Sequence, residues 1–122
     1  MMSSKKSVVL IVEDEAEIRF NTLDALEEIG HTVLEAANAD EAIILLRNRQ
    51  DIEVVFTDVN MAGSMDGLQL ARRVRAMRPA LGVIITSGLV RLDPMLLPAR
   101  TVYLPKPYQF SDLFAAIDRV TS

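Results

Sequence analysis

Asp58 closes an apolar run, Ile52–Thr57, that reads as a buried strand, and it is not the only polar residue so placed. Glu13, Asp14 and Glu15 follow a run from Ser7 to Val12, and Asn60 stands two residues beyond Asp58. Thr86 and Ser87 end a run that starts at Val83, and Lys106 follows another, Val102–Leu104. In a parallel sheet the C-terminal strand ends share one edge, so these spacings bring carboxylates, a hydroxyl and an ammonium to a single pocket. Clustered carboxylates repel, and at least one is pushed toward its protonated form unless a cation shares the site. The donors are oxygens, cysteine is absent, and the single histidine, His31, belongs to a different sheet end. A hard ion such as Mg²⁺ suits that set better than Zn²⁺. A metal, a lysine that can meet a phosphoryl oxygen and a carboxylate that can act as nucleophile are the components of phosphoryl transfer.

The elements that must position these residues alternate along the whole chain. Ser7–Val12 is a continuous β-branched and leucine run, as a strand buried on both faces requires. Ile18, Thr22, Ala25, Leu26 and Ile29 recur at helical spacing, and Gly30 closes that helix. Thr32–Ala36 is a second strand, and Asn38 with Glu41 predicts a capped helix running to about Arg49. After the strand Ile52–Thr57, a helix from Gly67 carries Leu70, Ala71, Val74 and Met77 on one face and stops before Pro79. A fourth strand, Val83–Ser87, leads into Gly88–Arg100, where Pro94 and Pro98 leave room for about one helical turn. A fifth strand, Val102–Leu104, precedes a helix capped by Ser111 with Leu113, Phe114, Ile117 and Val120 facing the core. Five strand–helix units with short connections predict a doubly wound parallel sheet with helices on both faces.

Composition bounds the alternatives. The 122 residues are half apolar, enough for one core without disulfides or a structural metal. Absence of cysteine is compatible with a reducing compartment, and the cytoplasm is the default expectation. Only five consecutive apolar residues, Val8–Val12, lie near the start, and no stretch approaches the roughly 20 needed to cross a membrane. Seventeen acids against thirteen Lys and Arg argue against nucleic-acid binding as the main activity. Arg72, Arg73, Arg75 and Arg78 are expected to form a solvated helix face.

The segments VLIVEDE, FTDVNMAGSMDG, VIITSG and YLPKPY, in that order, resemble the receiver domains of bacterial two-component response regulators. The likeness spans essentially the whole chain, 1–122, as one domain. It implies the flavodoxin-like α/β fold of receivers, a five-stranded parallel sheet in the order 2-1-3-4-5, here with a short or broken fourth helix. It also implies that Asp58 accepts a phosphoryl group from a phosphohistidine of a sensor histidine kinase or phosphotransfer protein. Asp14, Asp58 and the Asn60 carbonyl would be direct Mg²⁺ ligands, with Glu13 acting through water or orienting Asp14. Lys106 would pair with the acyl phosphate, and Ser87 would be the switch hydroxyl, with Thr86 its rival. Tyr103 would be the aromatic whose rotamer follows that hydroxyl, and Pro107 the proline preceded by a cis bond. Such a protein promotes only its own phosphorylation and dephosphorylation. It acts in the cytoplasm through a downstream protein, as a monomer or weak dimer, without membrane or nucleic acid.

Two features depart from the family pattern: Ala62 stands where proline is usual, in a loop one residue longer than the commonest form, and Gly88–Arg100 is broken by prolines. Two other readings stay open. A pseudo-receiver would bind partners without phosphorylation, and an aspartyl-nucleophile phosphohydrolase would need a second Asp where Asn60 stands. His31 is expected as a solvated loop residue, and Phe20 as docking surface or side packing.

Overall fold

The computed structural model describes residues 5–61, 63–88, 93, 95 and 97–122. Five strands, β1 (Val8–Val12), β2 (Thr32–Ala36), β3 (Val54–Asp58), β4 (Gly82–Ser87) and β5 (Thr101–Pro105), pair in parallel in the order β2-β1-β3-β4-β5. Four helices cover them: α1 (Ala16–Glu28), α2 (Ala39–Asn48), α3 (Gly67–Met77) and α4 (Phe110–Thr121). The doubly wound sheet is as the strand–helix pattern predicts, and its strand order is the one the resemblance implies. The winding direction reverses between β1 and β3, which puts the crevice of the fold at the C-terminal ends of those two strands.

Side chains alternate between the two faces of each strand, so the uninterrupted apolar runs feed two cores. On one face Leu10, Val12, Val55, Val83 and Ile85 pack with α2 and α3 through Ala42, Leu46, Leu70 and Val74. On the other, Val9, Ile11, Phe56, Ile84 and Leu104 pack with Leu26 of α1 and Leu113 and Ile117 of α4. Among the described residues no helix is long and apolar enough to cross a membrane, and none stands between β4 and β5. The expected short or broken fourth helix falls largely on residues 89–92, 94 and 96, which, like Ala62, lie outside the described residues.

Helix ends follow local chemistry. Gly30 adopts φ 103°, and the Gly30 and His31 N–H groups donate to the Glu27 and Leu26 carbonyls, so a glycine turn ends α1 as expected. Asn38 accepts the Glu41 N–H at 2.9 Å, while the Glu41 carboxylate accepts from Ala37, one residue before the expected cap. The last helix departs from expectation. It begins at Phe110, not after a Ser111 cap, because the Asp112 carboxylate reaches back to accept the Gln109 N–H at 2.9 Å. A short acid at the third helical position therefore moves the start upstream of Ser111.

Two further expectations are corrected at the N-terminal edge of the sheet. Arg75 and Arg78 are not a solvated face. Arg78 donates to the carbonyls of Leu46, Arg49, Gln50 and Ile52, and Arg75 donates to those of Pro79, Leu81 and Arg100. Only Arg72 and Arg73 of the four are exposed. His31 is buried rather than solvated, and its Nδ1 accepts the Ser7 N–H at 3.0 Å. The turn that ends α1 directs it inward, against the residue that precedes β1.

Burial, reinforced by Lys6 and opposed by Asp118 and Glu53, holds the His31 imidazole below its ordinary value of 6.5. A histidine depressed in the folded state contributes stability that is complete above 6.5 and lost as pH falls below it. Urea unfolding followed across that range should show this loss. His31→Gln, whose side-chain oxygen can still accept from Ser7, should flatten it.

Candidate functional site

The site residues continue the rows of the core that faces α1 and α4. Ile11, Phe56, Ile84 and Leu104 belong to that core, and two residues beyond each stand Glu13, Asp58, Thr86 and Lys106. The strand period of two therefore carries a carboxylate, a second carboxylate, a hydroxyl and an ammonium onto one face at one edge. Asp58 pairs in register with Thr86, and Lys106 follows Pro105, the partner of Ser87.

Asp58 is only 7% exposed. Its Oδ2 receives the Lys106 ammonium at 2.5 Å and its Oδ1 accepts the Asn60 N–H at 3.0 Å. Burial alone would lower the Lys106 pKa, but the hydrogen bond and charge of Asp58, with Glu13 beyond, raise it on balance. Lys106 is held from behind, its N–H donating to the Ser87 carbonyl at 3.1 Å, and the Lys106–Pro107 bond is cis. Glu13 is also buried. Burial raises its pKa from 4.5 to about 7, helped by the Asp14 carboxyl and the charge on Asp58, and opposed by the Glu15 N–H and Lys106. Asp14 itself is exposed at the rim and hydrogen-bonded to Glu13.

Both candidate hydroxyls, Thr86 and Ser87, end β4 at this edge. Ser87 is buried and pairs in register with Pro105, the residue before Lys106. Thr86 occupies the Asp58 face. Its Oγ1 is buried without a hydrogen-bond partner, and it lines a small cavity of about 10 Å³ with Glu13, Asp58, Thr22 and Tyr108. The sequence motif alone leaves both hydroxyls adjacent, and a shift of one residue reverses the face. Tyr103 is half-buried, and its hydroxyl donates to the Ser87 carbonyl at 3.1 Å.

Sequence reasoning missed three features. Gly67 is required by close approach: a Cβ there would lie 2.1 Å from the Asp58 carbonyl oxygen, while its N–H donates to Val59. Ser64, in the lengthened loop, donates to both carboxylate oxygens of Asp40 at 3.0 and 3.1 Å, which ties the loop to the start of α2. Asp66 and Gln69 form the reciprocal cap of α3, readable as D-x-x-Q in the sequence. Phe20 is 53% exposed, with the Arg19 guanidinium 5.5 Å from its ring centroid.

No group of three or more His, Cys, Asp or Glu side chains among the described residues forms a metal cage by itself. The donor chemistry nonetheless fits a hard divalent ion. The donors are oxygens, burial first and the neighbouring acids second push the Glu13 carboxyl up to about 7, and Mg²⁺ needs only one or two carboxylates while keeping several waters.

A family model for the response regulator receiver domain matches residues 9–118. The chain is 32% identical over 118 residues to sensor kinase CckA of Brucella abortus. It is 33% identical over 106 residues to a chemotaxis protein CheY homologue of Campylobacter jejuni. The first match takes in 93% of this chain and 12% of the kinase, the second 82% of this chain and 81% of the homologue. The chain likewise spans 25% of the transcriptional regulator NtrC of Salmonella typhimurium. Among solved structures, a response regulator receiver domain protein of Clostridium thermocellum superposes with TM-score 0.85 at 32% identity, covering 94% of each chain.

Two outcomes follow from the geometry. Gly67→Ala should cost about 1–3 kcal/mol in urea unfolding, since the added methyl forces β3 and α3 apart. For Glu13, the folded pKa lies above the unfolded one. Between about 4.5 and 7 the native state therefore keeps a proton that the unfolded chain has lost, and stability falls as pH rises through that window. In metal-free buffer Glu13→Gln should remove that part of the pH dependence.

Proposed function

The chain belongs to the response regulator receiver domain family, and on that premise we propose that it is a phosphorylation-dependent signalling switch with Asp58 as acceptor. The reading rests above all on one observation: a buried strand-end carboxylate held on one oxygen by Lys106 Nζ and on the other by the Asn60 N–H. Neither contact is needed to cap a strand. Together they hold a carboxylate in one orientation beside a cation that can meet incoming phosphoryl charge.

In the proposed reaction an oxygen of Asp58 forms a bond to phosphorus as the phosphorus–nitrogen bond of a donor phosphohistidine breaks. The imidazole leaves with the electron pair and takes up a proton. Mg²⁺ supplies charge neutralisation for the transferring group when bound, and Asp14, Asp58 and the Asn60 carbonyl are the groups proposed to hold it, with Glu13 behind. Lys106 is proposed to shift from the carboxylate to a phosphoryl oxygen. The product adds roughly 1.5 to 2 negative charges at neutral pH. Ser87 is proposed as the hydroxyl that turns toward them, with Thr86 as its rival, since Thr86 pairs in register with Asp58 and its Oγ1 is buried without a hydrogen-bond partner. Tyr103, bonded to the Ser87 carbonyl, is proposed to follow. Output is then a changed affinity for a partner protein, by shift of a pre-existing equilibrium. The kinase or phosphotransfer partner, the downstream protein and a cytoplasmic site of action belong to the same proposal.

Incubation with Mg²⁺ and acetyl phosphate, read by intact mass, tests the reading. Wild type should gain one phosphoryl group, and Asp58→Asn none. An unmodified wild type would favour the pseudo-receiver, and continuous turnover of phosphoesters the hydrolase. In backbone amide spectra, Ser87→Ala should take up the phosphoryl group yet lose much of the accompanying shift change; the same loss in Thr86→Val, with Ser87→Ala unaffected, would assign the switch to Thr86.

A further inference from the structure

Glu13 and Asp14 sit on the short connection between β1 and α1, and such connections move unless anchored. The start of α1 supplies no side-chain cap, since Glu15 at the cap position makes no such hydrogen bond. The anchor comes instead from within the helix. Arg19 donates from Nη1 to the Glu13 carbonyl at 2.7 Å, a short charge-assisted bond. That carbonyl belongs to the peptide group joining Glu13 to Asp14. On the other side of the same residue, the Glu13 N–H donates to the Ala36 carbonyl of β2 at 3.1 Å.

Arg19 is itself braced. Its Nε donates to Glu35 Oε1 at 3.0 Å, and its backbone N–H donates to the Glu15 carbonyl at 3.0 Å. Glu35 lies on the edge strand β2, paired in register with Ile11, two residues before Glu13. The Arg19 side chain is 15% exposed and that of Glu35 35%, and an ion pair so open to water adds little to stability. What the pair does is geometric: the planar fork of the guanidinium spans the gap from the sheet edge to the peptide between two acids.

We infer that Arg19 is a positioning residue for the divalent ion: its guanidinium, braced by Glu35, fixes the Glu13–Asp14 peptide from which the Asp14 carboxylate meets the metal. The inference rests on the receiver reading, which makes Asp14 a ligand, and adds to it a pair of residues outside the ligand set. When that peptide turns, ψ of Glu13 and φ of Asp14 change together, and the Asp14 carboxylate swings with them. Groups that hold metal ligands in place contribute about ten- to a hundred-fold to affinity. Charge alone predicts the opposite sign, because removing a cation from the neighbourhood of a divalent ion tightens its binding.

The test is a titration of the unphosphorylated protein with Mg²⁺ alone, followed by backbone amide shifts, for wild type, Arg19→Met, Glu35→Ala, Glu35→Gln and the double variant Arg19→Met/Glu35→Ala. Urea unfolding confirms that each is folded. Arg19→Met, which keeps the apolar stem, should bind Mg²⁺ about ten-fold more weakly than wild type. The double variant has the net charge of wild type and should bind as weakly as Arg19→Met. Glu35→Ala should weaken binding less, and Glu35→Gln, which keeps an acceptor for the Arg19 Nε–H, should bind like wild type. A purely structural role would leave the Mg²⁺ affinity of the folded variants unchanged. Unchanged or tighter binding in Arg19→Met, or wild-type affinity in the double variant, would overturn the inference, and the receiver reading would stand so long as acetyl phosphate still modifies Asp58. Wild type that neither binds Mg²⁺ nor gains a phosphoryl group would instead sink the receiver reading, and the role of Arg19 with it.

Discussion

A carboxylate at the buried end of a central strand needs compensation, and the pairing of Asp58 with Lys106 supplies it. Much of the working edge can be understood from that requirement. β5 must lie where the residue after it reaches across β4 to β3. The loop after β3 must turn at once, so that the Asn60 N–H meets the other oxygen. Helix α3 must start against the carbonyl of the same residue, which leaves no room for a side chain at position 67. Three segments of the chain are thus committed to the surroundings of one side chain.

The same commitment leaves Glu13 undercompensated. One lysine meets Asp58 directly, while Glu13 has a backbone N–H and the neighbouring Asp14 carboxyl. Three carboxyl groups, Glu13, Asp14 and Asp58, thus gather at the edge with the Lys106 ammonium, and this makes a divalent cation a chemically consistent addition. It also separates the roles of the acids: Glu13 and Asp58 are enclosed, whereas Asp14 stands at the rim where an ion would enter from water.

Much of this was legible in the residues. Continuous apolar runs with polar stops defined the strands, their common polarity defined the edge, and Asp58 and Lys106 could be placed at that edge before any coordinates. What was not legible depended on single-residue phase or on contacts distant in sequence. Thr86 and Ser87 are chemically similar neighbours, and only the register of β4 shows that Thr86 is the one paired with Asp58. His31 looked solvated because it borders a turn, yet a glycine turn can aim the next side chain inward. Arg75 and Arg78 looked like surface charge because their acceptors are carbonyls, which no side-chain pattern reveals.

Those two arginines have a consequence for how the molecule divides its stiffness. Arg78 gathers the end of α2 and the approach to β3, and Arg75 gathers the turn before β4 and the residue before β5. Three strand beginnings and two helix ends are clasped by planar cations at the edge opposite Asp58. The sheet is thereby fastened like a fan at its handle, with its ribs held together at one end. The strand ends that carry Asp58, Thr86 and Lys106 lie at the opposite edge, where no such clasp of arginines joins them among the described residues.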